Sequence, residues 1–446
     1  MKHSLILDVA VPMRHWLHIG TAIRMAQLMR LNREFHQRHS SKDQELRRRT
    51  FWACLLFDRL IAFVIAKPRT LYEGHISVAL PISETSLAYG ETTKGLTLSN
   101  LAVGGFAGRV SDTGLMPFYV KTLTLWSAVA DIKVCGGRFF EKTAPTHPAS
   151  RFFQRHNRLR EWATSLPVTL AWSRENYELH NTVGQGAVFV TMHFLLRSAF
   201  CVAHQLYLPQ TNGSALLSDT LDASGWSLLR REPAFITTCV SNALAVGEIA
   251  SMLYDTGETG LSHLQSAWVA AAMLSAAPTF LWLQFASDIE MIQPEARVQA
   301  QAYLALFMDV MHTWKRTWAV ARPWGNTMRV WAAVYRLVYL GEPISINLDD
   351  SEDDPNNQDR DHEQLFTDSY LKAQYRPEPG NGLCPLPNGD SHSHREASYL
   401  NNTLRLNVID DAAKKALLHG MWFQLANGWP NDFSGMDDFS FDFPVA

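Results

Sequence analysis

Apolar residues recur along this chain at three- and four-residue spacing, in blocks long enough for helices. Trp16, Ile19, Ile23 and Ala26 make one face of a helix over Arg14–Arg33. Ser41, followed by Gln44, is placed to cap a second helix carrying Leu46, Trp52, Leu55 and Leu56, which ends before Pro68. Residues 67–115, rich in Gly, Ser, Thr and Pro, read as an extended excursion over the helical body. Helical spacing returns over 117–135, 151–165, 183–208, 233–254, 262–287, 295–320 and 326–340. Polar–apolar alternation, the mark of a strand, is confined to short pieces near 75–80. The pattern predicts an all-α protein, a large multi-helix array of about ten or more helices with Pro/Gly-rich loops. No repeat of fixed period accompanies it.

The pattern changes after Gly341. Residues 349–361 hold seven acidic residues and read as a disordered, solvated linker. The chain therefore divides into a helical body at 1–345, an acidic and polar linker at 346–394, a C-terminal helical segment at 395–428 and a tail at 429–446. The helical segment is marked by Leu400, Leu404, Val408 and Leu417. The tail interleaves Trp429, Phe433, Met436, Phe439, Phe441 and Phe443 with Asp432, Asp437, Asp438 and Asp442.

Composition narrows the function classes. The net charge of −3 excludes a whole-chain basic field, although Arg14–Arg49 holds nine basic and three acidic residues. Cys54, Cys135, Cys201, Cys239 and Cys384 are far apart with no CxxC, so no zinc finger or zinc cluster can form on spacing, and a reducing compartment fits. No signal peptide is recognisable. Residues 267–286 are uncharged and long enough to span a bilayer, but Pro278 and the many alanines favour a buried core helix. Serine-hydrolase, zinc-protease, P-loop and dinucleotide-binding motifs are absent, so nothing reads as an enzyme.

The stretch WLHIGTAIRMAQLMRLNR, then ELRRRTFWACLLFDRLIAFVIAKP, then LP resembles the fungal-specific transcription factor domain, the middle homology region of zinc-cluster regulators. The matching positions are Gly20, Ala22, Arg24, Met25, Ala26, Leu31, Asn32 and Arg33. A second block follows with Glu45, Arg48, Arg49, Phe51, Trp52, Asp58, Arg59 and Pro68, and Leu80 and Pro81 close the series. Leu166–Pro167 and the helix with His193 and His204 also look like the family. The resemblance implies a nuclear regulator of RNA polymerase II transcription whose motif residues are structural. The family's six-cysteine cluster has no counterpart here, and the domain begins short of the family's usual N-terminal helices. No cofactor is expected in this chain. Zinc, and promoter DNA as a partner, follow only if a cluster is supplied in a longer protein.

Individual residues keep plainer readings beside these. Arg47, Arg48 and Arg49 splay around their helix. They read as structural cations pairing with carboxylates, with nuclear localisation or nucleic-acid contact as alternatives. Asp58 and Arg59 read as a buried or half-buried ion pair. His193 and His204, about 16 Å apart on one helix, cannot share a metal and read as core histidines with satisfied ring nitrogens. His392 and His394 lack a ligand set. The tail has the composition of an acidic-hydrophobic activation segment that recruits transcriptional co-activators, the alternative being a tail docked on its own body. Dimerisation, with itself or with another zinc-cluster regulator, is a further expectation; a membrane partner is not. The rival reading is a DNA-binding-deficient partner of another transcription factor, which needs an exposed apolar surface on the body.

Overall fold

A computed structural model describes residues 4–340, apart from breaks at 35–38, 65–66, 91–95, 102–113, 135–140, 142, 206, 209–232, 286–291 and 317–320. The linker, the C-terminal helical segment, the activation residues Trp429 to Phe443, and His392 and His394 all lie outside the described residues.

Twelve α-helices and two short 3-10 turns make up the described residues, with no strand among them. The helices are α1 (Ser4–Leu28), α2 (Ser41–Val64), α3 (Glu84–Ala88), α4 (Met116–Val134), α5 (Arg151–Ser165) and α6 (Arg174–Thr182), then α7 (Gly186–Gln205), α8 (Pro233–Asp255), α9 (Glu258–Leu264), α10 (Ala267–Phe285), α11 (Pro294–Trp314) and α12 (Ala321–Leu340). The all-α expectation holds. Several elements differ from the expected ones. The first helix runs Ser4–Leu28 rather than Arg14–Arg33, and the last starts at Ala321 rather than 326. The second helix is capped by Ser40, whose Oγ accepts from Asp43 N at 3.1 Å, one residue earlier than Ser41. The pattern over 262–287 is two helices, α9 and α10, broken at Gln265–Ser266. Helix α6 was not foreseen, because its sequence is largely polar. Its signal is Ser173, whose Oγ accepts from Asn176 N at 3.1 Å.

Helix α7 is apolar all round, the signature of a helix with neighbours on every side. It packs against α4, α5, α6, α8, α9 and α10, and Phe189, Phe194, Leu195 and Cys201 are completely buried. Helix α10 is buried continuously from Val269 to Leu283. Together with α7 and α8 it is long and apolar enough to cross a membrane by length and composition, but most of each helix's apolar window lies inside the body. Pro278 sits within α10 and denies the helix one backbone N–H. The Gln205 amide of α7 donates to the Ser275 carbonyl and, at 2.9 Å, to the Thr279 hydroxyl. Tyr335 of α12 donates to the Pro278 carbonyl at 3.2 Å.

Two tryptophans tie helices together through their polar ends. Trp126 Nε1 on α4 donates to Ser198 Oγ on α7 at 3.1 Å. Trp162 Nε1 on α5 donates to Thr122 Oγ1 on α4 at 2.9 Å. Helix α2 reaches this core by packing on α4, and α1 packs on α2. The first two helices and the excursion after them thus form one flank of the body.

Candidate functional site

Asn32, Glu45, Arg48, Arg49, Trp52, Asp58 and Arg59 of the family-like blocks converge on one structure, a clamp that holds the excursion after α2. At 100° per residue, Glu45, Arg48, Arg49, Trp52 and Arg59 fall within an arc of about 100° on α2. Residues 69–83 run along that arc as a strap, extended at Tyr72 and Ile76 with a 3-10 turn at Glu73–His75 between them. The alternation near 75–80 makes no strand here, because its backbone groups are taken by side chains and by the single carbonyls of Asn32 and Leu96 instead of by a neighbouring strand.

The strap is bound point by point. Asn32 O accepts from Ser77 N and Val78 N at 3.0 Å each, and Asn32 Nδ2 donates to His75 O at 3.0 Å. Glu34 accepts from Ala79 N at 2.8 Å, while Trp52 Nε1 donates to Ala79 O at 2.7 Å. Glu45 accepts from Ile82 N at 3.1 Å. At the other end, Asp58 accepts from Thr70 N at 2.9 Å and Leu71 N at 3.0 Å, and Arg59 Nη2 donates to Leu71 O at 2.7 Å.

Guanidinium–carboxylate pairs lock the residues that grip the strap. Arg48 meets Glu34 through two nitrogens, at 2.7 and 3.2 Å, and Glu45 at 3.4 Å. Arg49 bridges Glu45 at 2.9 Å and Glu84 at 2.6 Å. Arg59, with its side chain fully buried, meets Asp58 at 2.6 Å and Glu73 at 3.1 Å. Arg69 joins Glu73 at 2.8 Å and also pairs with Asp131 of α4. Burial opposes the charge on Arg48 and Arg49, but their carboxylate partners outweigh it and hold both above the ordinary arginine value. Burial also works against Glu73, yet Arg69 and Arg59 hold it below the usual carboxylate range. Asp131 goes the other way: burial outweighs its pairing with Arg69 and raises it. Burial and the neighbouring Arg69 lower Arg59. These carboxylates are engaged by guanidinium groups and backbone N–H groups, an arrangement that holds chain segments rather than moving protons.

Phe51, Trp52, Ala26, Leu31 and Leu80 are core residues, and Pro81 is buried beside them. Gly20 is half-buried, with open space where a Cβ would stand. Arg24, Met25, Arg33 and Pro68 are exposed and take no part in the clamp. Arg47 donates to Met29 O at 2.8 Å. Sequence reasoning did not single out Glu34, Arg69, Glu73, Glu84 or Asp131 as part of the site. The one legible trace among them is Asp131, an acid inside the apolar run of α4.

His193 and His204 sit in separate aromatic clusters. His193 Nε2 meets the Leu170 carbonyl at 3.0 Å, and its ring lies against Trp172 and Phe189. His204 Nδ1 meets the Phe200 carbonyl at 2.7 Å, and its ring lies against Phe152 and Phe235. Each is hydrogen-bonded through one ring nitrogen among the described residues, not both as expected. Burial pushes both down to about 3. The described cysteines do not fit a zinc cluster. Cys54 is half-buried on α2, and Cys201 and Cys239 face each other across α7 and α8, each sulfur 3.9 Å from the other's carbonyl oxygen. No three His, Cys, Asp or Glu side chains gather as a metal-binding group among the described residues.

Comparison with known proteins agrees with this flank. The family model of the fungal specific transcription factor domain matches residues 12–136, a span that takes in the clamp, the strap and Asp131. The Zn(2)-C6 fungal-type transcription factor FTF1c of Fusarium oxysporum f. sp. lycopersici is 26% identical over 201 residues, covering 41% of this chain and 22% of that protein. FTF1a of the same fungus is 28% identical over 201 residues, 41% of this chain and 19% of that protein. An uncharacterized transcriptional regulatory protein of Schizosaccharomyces pombe is 29% identical over 200 residues, 40% of this chain and 20% of that protein. The chain spans about a fifth of the length of these relatives. No solved structure matches.

Proposed function

We propose that this chain, which carries a fungal specific transcription factor domain over residues 12–136, acts in the nucleus as a regulator of RNA polymerase II transcription. In this reading the helical body is the regulatory scaffold, and the acidic-aromatic tail from Trp429 to Phe443 recruits co-activators. The observation that supports it best is the convergence of the matched blocks on one clamp within the residues the family model covers. A general role in transcription regulation follows from the kinship. The activating tail is the finer part, supported by aromatic residues interleaved with four aspartates. Contact with promoter DNA, and with it zinc, belongs to a cluster supplied in a longer protein or by a partner.

The rival is a DNA-binding-deficient chain that modulates another transcription factor. It is favoured by one observation, the exposed apolar residues of α1 and α2, among them Leu17, Leu28 and Leu46. Fusing residues 395–446 to a heterologous DNA-binding domain separates the two. The activating reading expects reporter expression that falls when Phe439, Phe441 and Phe443 are replaced by Ala. An expressed fusion that leaves the reporter silent would overturn the activating tail and leave the modulator.

A further inference from the structure

Two packed helices bring three unpaired cations to the place where the strap meets the core. Trp162 Nε1 of α5 donates to Thr122 Oγ1 of α4 at 2.9 Å, and the Trp162 ring stacks on Phe118 at 6.0 Å. Arg155, two turns before Trp162, lies close enough to Asp131 of α4 to feel its charge. The two helices therefore run antiparallel, the start of α5 beside the end of α4. In this register Arg158 stands one turn before Trp162, and both Arg155 and Lys121 of α4 feel its charge. Arg69 enters from the strap, donating to Ser127 Oγ of α4 at 3.2 Å and pairing with Asp131.

Charge does not balance at this junction. Arg59 and Arg69 are answered by Asp58, Glu73 and Asp131. Lys121, Arg155 and Arg158 enter no ion pair among the described residues. Glu161, the one acid of α5, stands one turn from Arg158 and does not pair with it. Lys121 and Arg155 are half-buried, and Arg158 is exposed. Burial lowers Lys121, with the Arg158 charge adding to the effect and Glu73 opposing it. Burial also lowers Arg155; Asp131 opposes this, and Arg158 and Arg69 add to it. Five cations thus face three carboxylates, a surplus of two positive charges. Half-buried cations that repel one another cost stability, and an anion between them relieves it.

The surplus selects the anion. A nucleic-acid backbone needs a row of exposed basic residues, and of these three only Arg158 is exposed. A single carboxylate leaves half of the surplus unanswered. A phosphate monoester carries about −1.5 to −2 charges near neutral pH and presents three acceptor oxygens. Those oxygens match two guanidinium forks and one ammonium. Arg155 and Arg158 also lie beyond residues 12–136, outside the span that the family model matches.

We propose that Lys121, Arg155 and Arg158 form a binding site for the phosphoryl group of a small phosphate monoester, with Arg158 at its centre and the other two flanking it. The bound group links α4 to α5 beside Arg69, so occupancy stabilises the junction of both helices with the strap. The site stands independently of the proposed role in transcription.

The test is calorimetric titration of the full chain, at constant ionic strength, with glycerol 3-phosphate, inorganic phosphate and succinate. Both phosphates should bind saturably, with one site per chain, and should raise the melting temperature. Succinate, a dianion whose charge is divided between two separated groups, should bind about tenfold more weakly. Arg158→Gln should weaken phosphate binding by about tenfold. Because Arg158 is exposed, its circular dichroism spectrum and its melting temperature without phosphate should stay unchanged. Lys121→Gln and Arg155→Gln should each weaken binding by about threefold or more. No saturable binding of either phosphate, an affinity unchanged in Arg158→Gln, or succinate bound as tightly as glycerol 3-phosphate would overturn the site. Inorganic phosphate bound without the ester, or a phosphoserine peptide bound more tightly than glycerol 3-phosphate, would overturn its assignment to a small ester.

Discussion

At the scale of single residues, the consequential pair on this flank is Asp58 and Arg59. The carboxylate takes two backbone N–H groups of the strap and a buried guanidinium at once. Removing it leaves Arg59 charged, fully buried and short of its nearest anion, a change that typically costs about 3–5 kcal/mol. Asp58→Ala should therefore lower the urea midpoint substantially. Arg24→Ala, at an exposed position outside the clamp, should shift stability by no more than about 0.5 kcal/mol. An Asp58→Ala chain as stable as the Arg24→Ala chain would show that the strap is not held as described. The pairing of Asp58 with Arg59 was legible because two opposite charges stand side by side inside an apolar run. Their other partners, Leu71 O and Glu73, were not. They arrive from a loop whose path depends on where Asn32, Glu34 and Trp52 catch its backbone, and no local pattern encodes that path.

At the scale of elements, long apolar periodicity located most helices, and it failed where the pattern was ambiguous or polar. Helix α6 was missed because few of its residues face the core, although Tyr177 and His180 do. Helices α9 and α10 merged because apolar residues continue across Gln265–Ser266, where Gln265 N bonds back to Leu261 O and closes the first helix. Helix α7 carries the testable consequence. His193 and His204 are buried in the folded chain with values lowered to about 3 by burial, against about 6.5 in an unfolded chain. Between those limits the unfolded chain binds more protons, so stability rises with pH across this window and is lost as pH falls below about 6.5. Carboxylates add to the loss only lower down, nearer their own range. The slope of stability against pH between about 6.5 and 5 should flatten in His204→Phe, with His193, and His156 and His263 whose values burial also lowers, carrying the remainder. A slope unchanged in both His204→Phe and His193→Phe would contradict the burial of these rings.

At the scale of the whole molecule, a helical body of twelve described helices hangs one flank, α1, α2 and the strap, on a core centred on α7. The family model matches that flank and α4, and Asn32, Glu45, Arg48, Arg49, Trp52, Asp58 and Arg59 within it act together in one clamp. Sequence alone marked the flank through its ordered blocks from Gly20 to Pro81. It could not show that Glu34, Glu73 and Asp131 join the same network, because charge pairing over such separations depends on the finished fold. The tail's chemistry was legible from composition alone.

The most direct measurement tethers the full 446-residue chain to a reporter promoter through a heterologous DNA-binding domain and counts transcripts. A transcription regulator with an activating tail should raise transcript levels, and Phe439→Ala, Phe441→Ala and Phe443→Ala together should abolish the rise without changing protein abundance. A tethered, abundant, folded chain that leaves transcription unchanged in both forms would contradict the proposed function.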